Sequence, residues 1–316
     1  QGSLMSKKLV GLSQINEELS GALNLLQERL GDFPVNNSTQ GNIAQGTDSL
    51  LDRCADVVGE EKNTKPIIRV IHHLACSGGS LISKCLSSMP NVFLLSETHP
   101  TAFAKHERDN ISFSPTNIPL QCHYANIPDL NNLNSELFKS SIRLVHSHCE
   151  NIGGYLVLRE HSHSDFTSDN DVPTESPLLR LLKDDYDVRS LVTIREPVEA
   201  YSSLKRNGWI RFKPATFDEY CRRLNLFLAQ FSREQIFKYE DFIDCPMGTM
   251  ESMCAHIKLG FNENFEYIFD SFNVSGDSGR KGSVIEKRPK QIVQEVIESK
   301  DNSSNYKRFL KEYFSN

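Results

Sequence analysis

Apolar residues fall into short β-branched runs that alternate with stretches of helical period. Ile67, Ile68, Val70 and Ile71 form the first run, nearly continuous in branched side chains, as expected of a strand covered on both faces. Leu81, Cys85, Leu86 and Met89 then recur at helical spacing, and Pro90-Asn91 predicts the end of that helix. Val92 to Leu95 make a second strand with Ser96-Glu97 at its carboxyl end. Between the first strand and the helix lies Cys76-Ser77-Gly78-Gly79-Ser80, a tight turn. A strand, a turn, a helix and a parallel strand make a crossover unit, and open sheets of this kind take ligands at the strands' carboxyl ends.

The same alternation continues downstream. Thr98 to Asn134 reads as a loop-rich region with four prolines, and helical period returns from Ser135 to Cys149. Tyr155 to Leu158 is a third strand, followed by Arg159-Glu160-His161-Ser162-His163. Leu178 to Leu182 is a short helix, and Ser190 to Ile194 a fourth strand ending on Arg195. Pro197 falls in a helix's first turn, where its missing N–H costs nothing. Phe217 to Phe231 is an amphipathic helix, Gln235 to Tyr239 a short strand leading into Glu240-Asp241-Phe242, and Met247 to Leu259 a helix closed by Gly260. Ser275 to Gly282 is a glycine-rich basic loop, and the tail from Lys290 is helical. The expected class is α/β, a three-layer sandwich around a central parallel sheet.

Residues 13–30 stand apart. Ile15, Leu19, Ala22, Leu23, Leu26 and Leu30 share one helical face, with Gly31 closing the helix. A polar loop, Asn36 to Thr47, and a short helix, Asp48 to Val58, follow. The expected division is a helical arm over residues 1–62 and an α/β domain over 63–316. The arm packs either on that domain or on another subunit, the second giving a homo-oligomer.

Composition narrows the class. A net charge of −6 over 316 residues argues against a general nucleic-acid binder, so any anion site must be a local concentration of base. No apolar run approaches the ~18 residues of a membrane span. The opening QGSLMSKK is expected to be a protease-site scar before a native Met5, with no secretory signal after it. Eight cysteines lie scattered without a CxxC pair, which predicts reduced thiols and a cytoplasmic protein. Cys76 alone is placed for chemistry, either as a nucleophile or as a small residue filling the turn.

The turn points to an anion. Paired glycines let the backbone approach a ligand, and the N–H groups opening the helix favour negative charge by about 0.3–1 kcal/mol. A Gly-Lys-Ser/Thr ending is missing, which disfavours an ordinary ATPase or GTPase. Arg195 and Ser203 stand eight residues apart across a strand end and the following helix, so fork and hydroxyl can reach one anion. Arg280-Lys281-Gly282 adds a second basic cluster. These features together suit a ligand with two separated anionic groups.

This set of motifs resembles the sulfotransferases that use 3′-phosphoadenosine 5′-phosphosulfate, PAPS, across roughly residues 67–290. The resemblance implies a P-loop-like sulfotransferase fold with PAPS as sulfuryl donor. The N–H groups of Gly78, Gly79, Ser80 and Leu81 and the Ser77 and Ser80 hydroxyls would hold the 5′-phosphosulfate. Arg195, Ser203, Arg280, Lys281 and Gly282 would hold the 3′-phosphate, and Tyr239-Glu240-Asp241 matches a further family landmark. The first motif is most similar to the tyrosylprotein-sulfotransferase-like branch: Ser77-Gly78, Ser80-Leu81, Leu86, Pro90, Val92 and Glu97-Thr98 fall in register. There the glutamate takes the acceptor's proton, which implies that role for Glu97. His161 is the rival, placed after a strand like the catalytic histidine of the cytosolic small-molecule enzymes.

The turn departs from the family at Cys76, where the family carries Lys or Arg. His72, His73, Lys84, Arg159 or a lysine from the 98–134 loops would have to supply that charge. The resemblance implies a small-molecule, glycan or peptide acceptor with a hydroxyl or amine, and no metal. A zinc set of His146, His148, Cys149, His161 and His163 lacks any standard ligand spacing. Two other readings stand beside this one: a divergent P-loop kinase, and a catalytically silent nucleotide-binding or scaffold protein.

Overall fold

The computed structural model describes residues 65–101, 115–276 and 284–314. The expected arm (1–62) and Arg280-Lys281-Gly282 lie outside the described residues. In chain order the elements are β1 (Ile67–His73), α1 (Gly79–Ser87), β2 (Val92–Thr98), α2 (Ile118–Tyr124), α3 (Leu130–Asn151), β3 (Tyr155–Glu160), α4 (His163–Phe166) and α5 (Pro177–Leu182). There follow β4 (Asp187–Ile194), α6 (Pro197–Arg206), α7 (Phe217–Leu228), β5 (Ile236–Lys238), α8 (Tyr239–Asp244), α9 (Pro246–His256), α10 (Phe265–Ile268), α11 (Gln294–Lys300) and α12 (Ser304–Phe309).

The five strands form one sheet in the order β2-β3-β1-β4-β5, every pairing parallel. Alternation along each strand divides its side chains between two helical layers. Ile71, Val157 and Leu191 face one layer, packed with Leu81, Ile82 and Leu86 of α1, Phe242 of α8 and Met250 and Met253 of α9. Ile68, Val70, Leu156 and Leu158 face the other way, against Ile142 of α3 and Leu178 and Leu182 of α5. Val192 and Ile194 continue that second face under α6, α7 and α12, through Leu204, Phe227 and Phe309. The three-layer α/β sandwich read from the sequence is the observed architecture.

β1 and β2 are parallel, as the crossover reading expects, and β3 lies between them. Local helix boundaries are corrected. The stretch read as loop from Thr98 to Asn134 contains α2, and α3 begins at Leu130. Asn117 caps α2 by accepting from Leu120 N at 3.0 Å, and Pro119 sits in its first turn. Of α3's 22 residues only Asn134, Ile142, His146 and Cys149 are buried, so its first turns carry almost no apolar period. Downstream, α7 stops at Leu228 rather than Phe231.

The strand order sets the site. From β1 the chain runs toward β2 and β3, whereas from β4 it runs toward β5. The carboxyl ends of β1 and β4 therefore flank the point where the winding reverses, and a crevice opens there. Beneath it, Glu160 at the end of β3 is fully buried. Its Oε2 lies 2.7 Å from His72 Nδ1 and accepts from Ser162 Oγ at 2.7 Å, and its Oε1 accepts from Ser176 Oγ. His72 Nε2 in turn reaches Ser190 Oγ at 3.1 Å, so the network joins β1, β3 and β4. Glu160→Ala, which strands these partners in the core, is expected to lower stability by about 3–5 kcal/mol in urea unfolding.

Candidate active site

The turn after β1 is built on left-handed backbone. Cys76 has φ 68° and Gly78 φ 85°, a conformation that costs an L side chain energy and glycine little. Ser77 Oγ donates to Leu74 O at 2.6 Å and is buried. That hydroxyl, expected to face a ligand, is held inside the turn, and Ser77 does not line the cleft described below. Gly78 precedes α1 with no side-chain cap, and the helix's first turn carries no acidic residue. A Cβ on Gly78 would stand 2.2 Å from the Tyr239 ring, and one on Gly79 would stand 2.3 Å from the His73 ring. Both glycines are therefore fixed by what packs on them.

A cleft of about 1560 Å³ opens above this turn. Gly78, Gly79, Ser80 and Leu81 line its floor, and Arg195, Ser203 and Tyr239 line one side. Arg195 Nη1 donates to Cys76 O at 3.3 Å, and the guanidinium lies 5.0 Å over the Tyr239 ring. Its Nη2 bonds Glu199 Oε2 at 2.8 Å, while Lys290 reaches Glu199 Oε1 at 2.5 Å. Burial would raise the Glu199 carboxyl, but hydrogen bonds from Lys290 and Arg195 pull it below the usual range. Burial pushes the Cys76 thiol up, against the opposing hydrogen bond with Ser203. It stays protonated, which fits a small filler of the turn rather than a nucleophile.

The opposite wall centres on Arg159, 3% exposed at the end of β3. Its Nε donates to His73 Nε2 at 2.7 Å. Nη1 donates to Ser96 Oγ and Ser275 O, each at 2.9 Å. Nη2 reaches Ser80 Oγ at 3.1 Å and Glu97 Oε1 at 2.8 Å. Burial, with the Arg159 charge beside it, lowers His73 to about 3. That ring is neutral, giving Nδ1–H to Leu74 O at 3.1 Å.

Glu97 sits where the β2–β3 pairing shifts register between Leu95 and Thr98, in left-handed backbone at φ 57°. Such irregularities re-aim a side chain. Its Oε1 meets Arg159 and its Oε2 accepts from His161 Nδ1. Burial alone would raise Glu97, but the His161 hydrogen bond and the Arg159 charge outweigh it and bring the carboxyl to about 2. The His161 and His163 rings lie 3.8 Å apart between centroids.

Glu97, His161, Gly78 to Leu81, Arg195, Ser203 and Tyr239 thus line a single cleft. Among the described residues offered for the charge missing at Cys76, His72 and His73 are buried, Lys84 pairs with Asp270 at 3.8 Å, and Arg159 lines the cleft as a cation. The lysine of the 98–134 loops, Lys105, lies outside the described residues. The zinc set does not assemble: His146 Nε2 donates to Ile67 O at 2.8 Å from α3, away from His161 and His163. Lys287, Arg288 and Lys290 also line the cleft beside Arg195 and Arg206. The sequence reading passed over them, although the Lys-Arg-Pro-Lys run at 287–290 was a visible concentration of base.

No family model matches the chain, and no curated protein matches it significantly. Among solved structures it is similar to the sulfotransferase domain of the Synechococcus PCC 7002 olefin synthase, at 13% identity and TM-score 0.45, over 79% of this chain and 96% of that one. It is also similar to the mouse sulfotransferase SULT7A1 complexed with PAP, at 10% identity and TM-score 0.36, over 79% and 83%. A third is the PezAT toxin-antitoxin system of Streptococcus pneumoniae, at 14% identity and TM-score 0.29, over 85% and 96%. Likeness this distant assigns no residue a role, and the reading of the site rests on its geometry.

Gly78→Ala tests that geometry. It sets a Cβ against the Tyr239 ring in left-handed backbone, and is expected to cost about 1–3 kcal/mol in urea unfolding. An unchanged midpoint would mean that Tyr239 does not pack on the turn.

Proposed function

We propose that the chain is a sulfotransferase that moves the sulfuryl group of PAPS to a hydroxyl or amine of an acceptor. One observation carries the reading. Arg195, from the end of β4, touches the turn after β1 and covers Tyr239, whose ring lies on Gly78, while Ser203 lines the same cleft. Three segments remote in sequence thus offer donors to one anionic ligand. The Gly79 to Leu81 N–H groups at the start of α1 suit the 5′-phosphosulfate. Arg195 and Ser203, with Lys290 and Arg206 close by, suit the 3′-phosphate and would favour this nucleotide over AMP or ATP. Arg280, Lys281 and Gly282 remain proposed partners of that phosphate.

In the proposed transfer the acceptor's oxygen or nitrogen attacks sulfur in line. The S–O bond to the 5′-phosphate breaks, and its electron pair leaves on 3′-phosphoadenosine 5′-phosphate, PAP. Positioning and electrostatics supply most of the rate in reactions of this loose type. Arg159 and the Ser80 hydroxyl it holds stand where charge would build on the leaving oxygen, taking the part of the cation missing at Cys76. Both Glu97 oxygens already accept from donors. Glu97 orients His161 through Nδ1, and Nε2 is the ring nitrogen assigned to the acceptor's proton. In this division of labour His161 is the base and Glu97 its positioning residue.

Thermal unfolding with PAP, AMP and ATP tests the nucleotide. PAP is expected to raise the melting temperature well beyond the other two, and Arg195→Ala to erase that preference. A PAP shift no larger than that of AMP overturns the reading. With PAPS and a panel of acceptors, His161→Ala is expected to lower kcat by about 10²–10⁴-fold while PAP still stabilises the protein. PAP binding without transfer to any acceptor would instead support the catalytically silent alternative.

A further inference from the structure

We infer that Glu97, His161 and His163 form a binding site for a divalent transition metal ion, with zinc(II) the best fit. A carboxylate oxygen of Glu97 and one ring nitrogen from each histidine lie within 4.8 Å of one another. Ligands on a tetrahedral zinc stand about 3.3 Å apart, given bonds of about 2.0–2.1 Å. In the metal-bound form the Glu97–His161 hydrogen bond gives way to bonds from both groups to the ion.

Three independent features of the chain aim these groups at one point. The register shift in β2 and the left-handed Glu97 turn its carboxylate toward β3's end. Arg159 occupies Oε1 at 2.8 Å, which leaves Oε2 on the histidine side. His161 and His163 sit two residues apart where β3 passes into α4, their ring centroids 3.8 Å apart.

The turn that carries the histidines is braced. Ser164 Oγ donates to His161 O at 3.0 Å and Thr167 Oγ1 to His163 O at 2.9 Å. Asp165, between them, pairs with His99 at 2.8 Å, both side chains 1% exposed. Since Thr101 N donates to His99 Nδ1 at 3.0 Å, the proton of this pair sits on Nε2 and points at Asp165. This buried pair ties α4 to the end of β2, so the strand bearing Glu97 and the turn bearing the histidines are held together.

The donor set selects the ion. Two imidazoles and one carboxylate suit zinc, cobalt or nickel, whereas magnesium and calcium favour oxygen ligands throughout. All three residues line the cleft, so positions not filled by protein would open toward it, the arrangement of an exchangeable rather than a purely structural site. The site does not depend on the nucleotide reading. The two meet at His161, because an ion ligated there takes the proposed base out of service, and the metal-bound form is expected to be inactive in sulfuryl transfer.

The test uses the untagged full chain, stripped with a chelator and titrated with cobalt(II) without nucleotide. Expected is one cobalt per chain with the visible absorption of a low-coordinate nitrogen and oxygen site, displaced by zinc and indifferent to excess magnesium. His163→Ala and Glu97→Gln are each expected to weaken binding by about tenfold or more. His163→Gln serves where the alanine variant folds poorly, as read by circular dichroism. Absence of cobalt binding at millimolar metal overturns the proposal. So does a thiolate spectrum, or affinity unchanged in the folded variants. The PAP shift is measured separately, so failure of either reading leaves the other standing.

Discussion

One guanidinium organises the carboxyl end of this sheet. Arg159 reaches it as the second-to-last residue of β3 and donates to His73 at the end of β1, Ser96 and Glu97 at the end of β2, Ser80 in α1 and the Ser275 carbonyl. A planar fork with five N–H groups can serve such a ring of acceptors where a lysine could not. With Arg159 almost wholly buried, each of those bonds is both strong and costly to lose. Its charge adds to the burial that keeps His73 neutral and to the His161 hydrogen bond that keeps Glu97 ionised, and it holds the Ser80 hydroxyl at the start of α1. The loop at Ser275 is fastened to the same point, since Ser96 and Ser275 exchange hydrogen bonds of 3.0 and 2.9 Å.

The cleft is divided in its electrostatics. On the Arg195 side, cations are held by carboxylates: Glu199 lies between Arg195 and Lys290. Lys287 pairs with Asp244 at 3.1 Å. A net charge of −6 therefore coexists with a local concentration of base, one an entering anion would meet already positioned. On the Arg159 side the ionised group is Glu97, and imidazoles crowd against it. The basic residues around Arg195 and the imidazoles around Glu97 thus occupy opposite walls, with the turn after β1 between them. The turn serves both sides, since Gly78 receives Tyr239 and Gly79 receives His73.

Much of this was legible locally. The branched run of β1, the glycine pair and the helical spacing of α1 each identify themselves within a few residues, and so does Arg195 after the apolar run of β4. Glu97 and His161 could each be read as strand-end groups, yet as rival bases. Their partnership is invisible in sequence because it requires β2 to pair with β3, although 64 positions separate the two side chains. α2 and the start of α3 escaped notice because an exposed helix needs little apolar period. Lys287, Arg288 and Lys290 were passed over although they form a visible run of base, and only the fold lays that segment along the cleft.

The sequence by itself determined the α/β class, the position of the glycine turn after β1 and most of the residues around it. These depend on periodicity, chain stiffness and turn chemistry, all of which act between near neighbours. Only the tertiary structure decided that β3 separates β1 from β2, that Arg159 lies on the cleft wall beside the turn, and that the Ser77 hydroxyl faces inward. Those outcomes turn on which surfaces pack and which buried polar groups find partners. Such choices are made between segments up to about two hundred residues apart, where no local pattern reaches.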